Sequence, residues 1–266
     1  MVRHAGAGVE DKGRLVTDKK EEKPSLLNKV AIVTGGTRGI GCAIAERLLA
    51  EGAKVAICGT HQNTLDAAMV RLAGRGEVFG ALADVSRLEQ VKTFISTVLR
   101  RFEVADILIN NAGAGTFRPV AELSPEEWDR MIGLNLSGVY YCCHEVLPIL
   151  RERGGGDIIN ISSLAAKNPF AGGAGYNASK FGLNGFSEAM MLDHRSEGVR
   201  VSSIMPGSVA TGFGNSGSFG NSGSDAGPEW KIAPEDIAEV VVTLLRMPAR
   251  TTISRVEIRP SRPPRK

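Results

Sequence analysis

Several functional classes are excluded by what this 266-residue sequence lacks or holds in small number. Its four histidines and four cysteines show no metal-site spacing, and the adjacent pair Cys142 and Cys143 argues for reduced thiols rather than a disulfide framework. No charge-free stretch has the roughly 20 mainly apolar residues of a transmembrane helix. The N-terminus also lacks the apolar region of a signal peptide. These absences predict a cytoplasmic protein with no metal and no membrane partner.

The excess of positive charge is small, since the net charge is +3. Residues 251–266 hold five basic residues and one acidic residue, which concentrates this excess at the C-terminus. The rest of the chain therefore offers no broad basic surface for nucleic acid. We expect residues 259–266 to form a solvated, basic, proline-rich tail.

What the sequence does contain is a regular alternation of short apolar runs and amphipathic stretches. Residues 1–25 are polar and lack apolar periodicity, which predicts a flexible extension ahead of a domain that spans 26–258. The alternation predicts a single doubly wound α/β domain, with a mainly parallel sheet and helices on both faces. The predicted strands are Val30–Val33, Val55–Cys58, Val78–Leu82, Ile107–Ile109, Ile158–Ile161, Val201–Ile204 and Val256–Ile258.

Two serine-based patterns predict the starts of helices. Ser86 with Glu89 and Ser124 with Glu127 each have the spacing of a capping box, in which the two side chains satisfy free backbone N–H groups. Pro125 strengthens the second pattern, because proline suits the first position of a helix. A Gly/Ser-rich segment at 212–227 predicts a mobile loop.

A glycine-rich turn follows the first predicted strand directly and opens the first helix. Its residues run Thr34-Gly35-Gly36-Thr37-Arg38-Gly39-Ile40-Gly41. Glycines let the backbone approach a pyrophosphate, while the free N–H groups and the dipole of the helix attract the negative charge. A tight strand-to-helix connection is the alternative interpretation, because glycine turns of this kind also occur without a ligand.

Tyr176 and Lys180 are four residues apart, so on a helix they share one face. A tyrosine with an unperturbed pKa near 10 is poorly suited to proton transfer at neutral pH. A neighbouring ammonium group favours the phenolate, so we expect Lys180 to lower the pKa of Tyr176 and to make it an acid or base.

Together these motifs resemble those of the short-chain dehydrogenase/reductase family, over roughly residues 26–246. The turn matches the family's T-G-x-x-x-G-x-G form, and Tyr176 with Lys180 matches Y-x-x-x-K. Three further matches are Asp84-Val85, Asn110-Asn111-Ala112-Gly113 and Pro206-Gly207 with Thr211. The resemblance implies a Rossmann-type catalytic domain, and it is strongest to 3-oxoacyl carrier-protein reductases and related general ketoreductases. The chain departs from those reductases at its end, where Val256-Glu257-Ile258-Arg259-Pro260 replaces their usual Asp-Gly-Gly segment.

The resemblance also implies four catalytic residues. Tyr176 would protonate the developing alkoxide, and Ser163 would hydrogen-bond the substrate carbonyl. Lys180 would hold the cofactor ribose and tune Tyr176, while Asn135 would order a water for proton relay. Ser162 is the alternative to Ser163, and a structural role in its helix is the alternative for Asn135.

The choice of cofactor depends on charge at the end of the second predicted strand. NAD-binding sites place a carboxylate on the adenosine ribose, whereas a 2′-phosphate requires a cation. Here Gly59 occupies the acid's position, Arg38 is available as the cation, and Thr60 could supply a hydroxyl. We therefore predict NADP(H), with NAD(H) as the alternative. The predicted cofactor-binding residues are Gly35, Thr37, Arg38, Gly39, Ile40, Gly41, Thr60, Asp84, Val85, Asn111, Ala112, Gly113, Tyr176, Lys180, Pro206, Gly207 and Thr211.

The sequence thus predicts an NADP(H)-dependent oxidoreductase that reduces a carbonyl or oxidises a secondary alcohol, with a 3-oxoacyl thioester among the candidate substrates. A rival from another class is a non-catalytic dinucleotide-binding regulatory protein. Substrate contacts are expected from residues 114–118, residues 164–173 and the loop after Thr211. By analogy with the family, we expect a homotetramer or homodimer that pairs through helices such as 125–148.

Overall fold

The computed structural model describes residues 26–213 and 228–263. The predicted extension at 1–25, residues 214–227 of the Gly/Ser-rich segment and the last three residues of the tail lie outside the described residues. The strands are β1 Val30–Thr34, β2 Lys54–Gly59, β3 Val78–Leu82, β4 Ile107–Asn110, β5 Gly156–Ile161, β6 Val199–Pro206 and β7 Arg255–Ile258. The α-helices are α1 Gly39–Ala50, α2 Gln62–Leu72, α3 Leu88–Phe102, α4 Pro125–Ile132, α5 Gly138–Glu152, α6 Ala174–His194 and α7 Pro234–Leu245.

The seven strands form one sheet in the order β3-β2-β1-β4-β5-β6-β7, and every neighbouring pair is parallel. The apolar runs explain this arrangement, because a strand such as Ala31–Val33 is buried on both faces and suits only the interior of a covered sheet. The predicted doubly wound α/β fold is confirmed.

Helices cover both faces of the sheet. Alternate strand residues such as Val33 and Ile57 pack with α1, α2 and α7, where Leu48 and Val241 are fully buried. The intervening strand residues pack on the opposite face with α3, α5 and α6. This alternation follows from the two-residue period of a strand, and it divides the core into two layers.

The sheet order reverses direction between β1 and β4, which lie side by side although two strands separate them in sequence. The connections from β1 and β4 leave the sheet in opposite directions, which opens a crevice at their carboxyl ends. The glycine turn follows β1 and Asn111-Ala112-Gly113 follows β4, so both motifs meet at this crevice.

The two predicted capping boxes had different outcomes. Ser124 accepts a hydrogen bond from Glu127 N at 3.2 Å, and Ser124 N donates to the Glu127 carboxylate at 3.1 Å, so the box that begins α4 is confirmed. The box at Ser86 is wrong, since α3 begins at Leu88 with Arg87 as its N-cap. The Ser86 hydroxyl instead donates to Asp84 at 2.7 Å, because a nearer carboxylate competes for it.

Among the described residues there is neither a membrane-spanning helix nor a metal-binding cluster. No helix in this part of the chain is long and apolar enough to cross a bilayer. No group of three or more His, Cys, Asp or Glu side chains there is placed to hold a metal ion. All four cysteines are free and buried.

Candidate active site

The turn between β1 and α1 is shaped for a close approach of the backbone to a ligand. Gly35 and Gly39 have φ angles of +62° and +55°, in the left-handed region that favours glycine. A Cβ added to Gly41 would lie 2.3 Å from the carbonyl oxygen of Gly35, so the turn excludes a side chain there. These glycines keep side chains away from the first N–H groups of α1, where the helix dipole is positive. The cradle fits the pyrophosphate of a dinucleotide.

Residues after β4 hold this turn in place. The Asn111 side-chain nitrogen donates to the carbonyl oxygens of Thr34 and Gly35, each at 3.0 Å. In return the Thr34 hydroxyl accepts from the backbone nitrogens of Asn111 at 3.0 Å and Ala112 at 3.1 Å. The side chain of Asn111, predicted to bind the cofactor, is therefore committed to positioning the turn.

The end of β2 has no carboxylate and no room for one at Gly59. A Cβ on Gly59 would lie 2.6 Å from the methyl group of Thr37, so an acidic side chain there would require Thr37 to move. Arg38 is exposed at the N-cap of α1, and no described residue bonds its guanidinium. The Thr60 hydroxyl is 2.8 Å from Nδ1 of His61 at the exposed start of α2. This edge of the crevice thus offers a hydroxyl group from Thr60 and a positive charge from Arg38, a combination that fits a 2′-phosphate.

Asp84 and Val85 lie after β3 at the same edge of the sheet. The Asp84 carboxylate accepts from the backbone nitrogen and hydroxyl of Ser86 at 3.0 and 2.7 Å. Val85 is buried, and its carbonyl would be 2.9 Å from a Cβ on Gly138. A side chain at 138 would thus push α5 away from the segment that the resemblance assigns to adenine.

The remaining predicted cofactor residues also border the crevice. Pro206 ends β6, and Gly207 N donates to the last residue of β7 at 2.8 Å. Thr211 reaches the glycine turn, since its methyl group would be 3.3 Å from a Cβ on Gly39. Ile40 is half-buried in the first turn of α1. The segment after β4, through Asn111, and the segment after β6, through Thr211, thus both lie against the glycine turn.

Asn135 is fully buried in a single π-helical turn, Gly133–Ser137, between α4 and α5. Its side-chain nitrogen donates to Ala114 O at 2.8 Å and to the Ser179 hydroxyl at 3.0 Å, and its oxygen accepts from Ala114 N at 2.8 Å. Both N–H groups are therefore used by the chain, and only an acceptor position remains for a water. These contacts brace the segment that begins at Ala114, and the ordering of a relay water by Asn135 stays a prediction.

Tyr176 lies in the first turn of α6, where the Ser163 side chain is close enough to act against the rise in the pKa of its phenol. Ser163 lies just after β5, where its hydroxyl also accepts from Ala165 N at 3.1 Å. Ser162 faces elsewhere, because its hydroxyl donates to Asn184 at 2.7 Å. Lys180 follows one helical turn after Tyr176, and its ammonium nitrogen is 5.9 Å from the centre of the Tyr176 ring. The structure thus brings Ser163, Tyr176 and Lys180 together. Asn135 is close to them, since a Cβ on Gly113 would lie 3.2 Å from its side-chain oxygen and 3.9 Å from the Lys180 ammonium nitrogen.

Burial governs the charges of this pair. It raises the pKa of Tyr176 to about 12, and the hydrogen bond with Ser163 offsets only part of that increase. Burial also lowers the pKa of Lys180 to about 8, while its ammonium group donates to Ile161 O at 2.9 Å. The lowered tyrosine pKa that the sequence predicts is therefore wrong for this site, because the loss of water outweighs a lysine nearly 6 Å from the ring. At neutral pH Tyr176 is a phenol that holds its proton.

Asn177 supports the site without being marked by any pattern that the sequence analysis used. Asn177, next to Tyr176, donates to Ala165 O at 2.6 Å and Asn168 O at 3.4 Å, and it accepts from Phe170 N at 3.5 Å. These bonds hold the loop between β5 and α6 against the start of α6. The signal in the sequence was an Asn inside the matched motif, but its partners lie in a loop without any pattern.

The family model described as short chain dehydrogenase matches residues 29–218. The chain belongs to the short-chain dehydrogenase family. Among curated members, a 3alpha-hydroxysteroid dehydrogenase of Mediterraneibacter gnavus is 36% identical over 189 residues, which cover 70% of this chain and 76% of that protein.

Solved structures of the same family share the fold. A metagenomic short-chain oxidoreductase in complex with NADP is 38% identical, with a TM-score of 0.77, and the match covers 90% of this chain and 100% of that one. A variant of actinorhodin polyketide ketoreductase with NADPH is 31% identical, with a TM-score of 0.81 and coverage of 88% and 96%. Both structures hold a nicotinamide dinucleotide phosphate, which agrees with the glycine cradle described above.

Proposed function

We propose that this short-chain dehydrogenase is an NADP(H)-dependent enzyme that reduces a carbonyl to a secondary alcohol, or oxidises the alcohol in reverse. The observation that carries the proposal is the meeting of Tyr176, Ser163 and Lys180 beside the glycine cradle, at the carboxyl edge of the sheet. A binding protein without catalysis would have no need to bury a lysine beside a tyrosine at that position.

Each of these side chains has a distinct task. NADPH supplies the hydride when it is bound. Tyr176 donates its phenolic proton to the carbonyl oxygen, since its pKa of about 12 keeps it protonated at neutral pH. Ser163 donates a second hydrogen bond to that oxygen and stabilises its negative charge. Lys180 supplies a positive charge close to the phenol, and its backbone anchor at Ile161 keeps it there.

NADP(H) is favoured over NAD(H) by the chemistry at the end of β2. Arg38 is exposed and available to pair with a 2′-phosphate. A carboxylate side chain at Gly59 would clash with the methyl group of Thr37. The NADP and NADPH in the two similar structures support the same choice. NAD(H) is the alternative if Arg38 contributes nothing to binding.

The substrate is not determined by membership of the family, since the similar proteins include a hydroxysteroid dehydrogenase and a polyketide ketoreductase. A 3-oxoacyl thioester belongs in the first set of substrates to try, because the motifs resemble those of 3-oxoacyl carrier-protein reductases. The buried, free cysteines support the cytoplasmic location predicted from the sequence.

A homo-oligomer is favoured by the outer face of α5 and α6. Tyr140, Phe181 and Leu192 leave about half of their side-chain surfaces uncovered on these two helices. Large apolar side chains grouped on one face are typical of a surface that a second protein covers. We assign that partner as a second copy of this chain.

The test of the reaction is the replacement Tyr176→Phe. We expect the rate of carbonyl reduction to fall about 10³-fold, because the replacement removes the proton donor and keeps the ring. Initial rates of NADPH oxidation, corrected for a control without substrate, give this value, and fluorescence titration checks that NADPH still binds.

Tyr140→Phe is the matched control, because Tyr140 lies on the exposed face of α5. Its rate should equal that of the parent protein. Unchanged turnover in Tyr176→Phe would refute the mechanism. NADPH binding without turnover of any ketone or thioester by the parent would favour the non-catalytic rival.

A further inference from the structure

Three phenylalanines from three separate segments surround the reacting tyrosine. The Phe117 ring meets the Tyr176 ring edge-on, with centroids 5.5 Å apart and an interplanar angle of 87°. The Phe213 ring is 5.7 Å from Tyr176, and the Phe170 ring is 5.6 Å from Phe117. Phe117, Phe170 and Phe213 are called the aromatic collar below.

The aromatic collar is held in place by its surroundings. Asn177 bonds the backbone of the loop that carries Phe170, and a Cβ on Gly173 would lie 2.7 Å from the Phe170 ring. Gly115 makes similar room, since its added Cβ would lie 3.0 Å from both Phe117 and Phe213. Gly115 and Gly173 thus leave room for the rings, and the Asn177 side chain fixes the loop that carries Phe170. A binding site that is ordered in this way before the substrate arrives is preorganised, as selective binding requires.

Much of the collar's surface is uncovered although it borders a buried group. Phe170 and Phe213 are 45% and 44% exposed, whereas Tyr176 is 8% exposed. Apolar surface next to a reacting hydroxyl is surface that a bound substrate can cover. Aromatic rings at these separations favour further edge-on or offset contacts with a flat ring.

The charges near the collar are already paired. Arg118 lies 3.1 Å from the carboxylate of Glu127, and Lys167 lies 2.6 Å from that of Glu257. Within the described residues 114–118 and 164–173, these two are the only charged side chains. The segments around the collar therefore offer no unpaired cation to a carboxylate or phosphate on the substrate.

We propose that the substrate is a neutral ketone whose carbonyl carbon carries an aromatic or other flat cyclic apolar group, which packs against the aromatic collar. This inference rests on the proposed function, because it places the carbonyl at Tyr176 and Ser163. Unbranched aliphatic ketones fill the collar less well, and ketones with a carboxylate leave that charge without a partner. Linear 3-oxoacyl thioesters are accordingly poorer substrates than aryl ketones.

The test compares ketones that differ in one property. Acetophenone and 2-octanone have equal numbers of carbon atoms, and 4-acetylbenzoate adds a carboxylate to the aryl ketone. We expect kcat/KM with NADPH to be at least about tenfold higher for acetophenone than for either of the others. Equal values for acetophenone and 2-octanone would overturn the proposal.

Variants of the collar test whether its rings cause the preference for aryl ketones. Phe117→Leu, Phe170→Leu and Phe213→Leu should each lower the ratio of kcat/KM for acetophenone over 2-octanone, while the Kd for NADPH stays unchanged. Val70→Ala is the control, since Val70 is also an exposed apolar side chain but lies on α2, away from the collar. A ratio that no collar variant changes, or that the control changes equally, would refute the assignment.

A binding measurement separates this proposal from the proposed reaction. With the protein saturated by NADP⁺, which cannot reduce a ketone, calorimetry should show tighter binding of acetophenone than of 2-octanone. Preferential binding without turnover in the NADPH assay would refute the reaction and retain the collar. Turnover without any aryl preference would refute the collar and retain the reaction.

Discussion

Lys180 is a charged residue buried next to a neutral phenol, and its position carries a cost to stability. Its folded pKa is about 8 against an ordinary value of 10.5. A basic group whose pKa is lowered by folding destabilises the protein most at low pH, because the unfolded chain binds the proton more tightly. The penalty is therefore fully present below pH 8 and disappears as pH rises towards 10.5. It amounts to about 3 kcal/mol at neutral pH.

Lys180→Met should remove this penalty. We expect the free energy of unfolding at pH 7 to rise by about 1–2 kcal/mol, since the loss of the hydrogen bond to Ile161 O cancels part of the gain. Urea unfolding at pH 7 and at pH 10 measures the effect, which should shrink at the higher pH. Carbonyl reduction should be lost in the same variant.

Lys92→Met is the control for this prediction, because Lys92 is exposed on α3. It should leave stability within about 0.5 kcal/mol at both pH values. A stabilisation of Lys180→Met that is equal at pH 7 and pH 10 would contradict the assigned cause.

Arg38 is predicted to bind the 2′-phosphate of NADPH. Replacing it by alanine removes a charge-assisted bond to the 2′-phosphate, so the Kd for NADPH should rise about tenfold while the Kd for NADH stays constant. Fluorescence titration with both cofactors measures this difference. Arg100→Ala, on the exposed side of α3, should change neither value. Equal weakening for both cofactors would show that Arg38 does not read the phosphate.

At the scale of elements, the capping box of α4 can be tested directly. Ser124→Ala removes the acceptor for Glu127 N, and we expect it to lower the free energy of unfolding by about 1 kcal/mol. Chemical denaturation provides the measurement. Ser96→Ala is the control, since Ser96 lies in the exposed middle of α3, where alanine is a good helix former. Equal losses in both variants would argue against a special role for the cap.

The helix starts also show when a local sequence pattern fails to predict the structure. The capping pattern at Ser124 is correct because its two partners lie within one helical turn. The same pattern at Ser86 is wrong because Asp84, just outside the pattern, takes the hydroxyl. The sequence predicts a helix after β4 but not the π-helical turn at Gly133–Ser137. That turn buries Asn135 against Ala114 and Ser179, which are contacts made across the fold.

For the whole molecule, the exposed face of α5 and α6 predicts self-association. Phe181→Glu places a charge on that face, and we expect it to shift the protein to a smaller species than the dimer or tetramer that we propose for the parent. Light scattering during size-exclusion chromatography measures the mass. Val70→Glu is the control, because Val70 is exposed on α2 away from the face. A monomeric parent, or an equal effect of both changes, would rule out this interface.

The sequence by itself determined the alternation of seven apolar runs with helices, and with it the parallel, doubly wound sheet. Burial on both faces imposes a composition that can be read without coordinates. It also determined which motifs could hold a dinucleotide, because the glycines of the turn are required by backbone geometry. Such properties depend on residues close together in the chain.

Only the tertiary structure decided the chemistry of the crevice. It favoured Ser163 over Ser162 as the neighbour of Tyr176, since Asn184, two turns further along α6, accepts the hydrogen bond of the Ser162 hydroxyl. It reversed the predicted direction of the tyrosine pKa, because burial is a property of the whole fold. It also assembled the aromatic collar from segments nearly 100 residues apart. Desolvation and contacts between distant segments arise only when the chain is packed, so no local pattern records them.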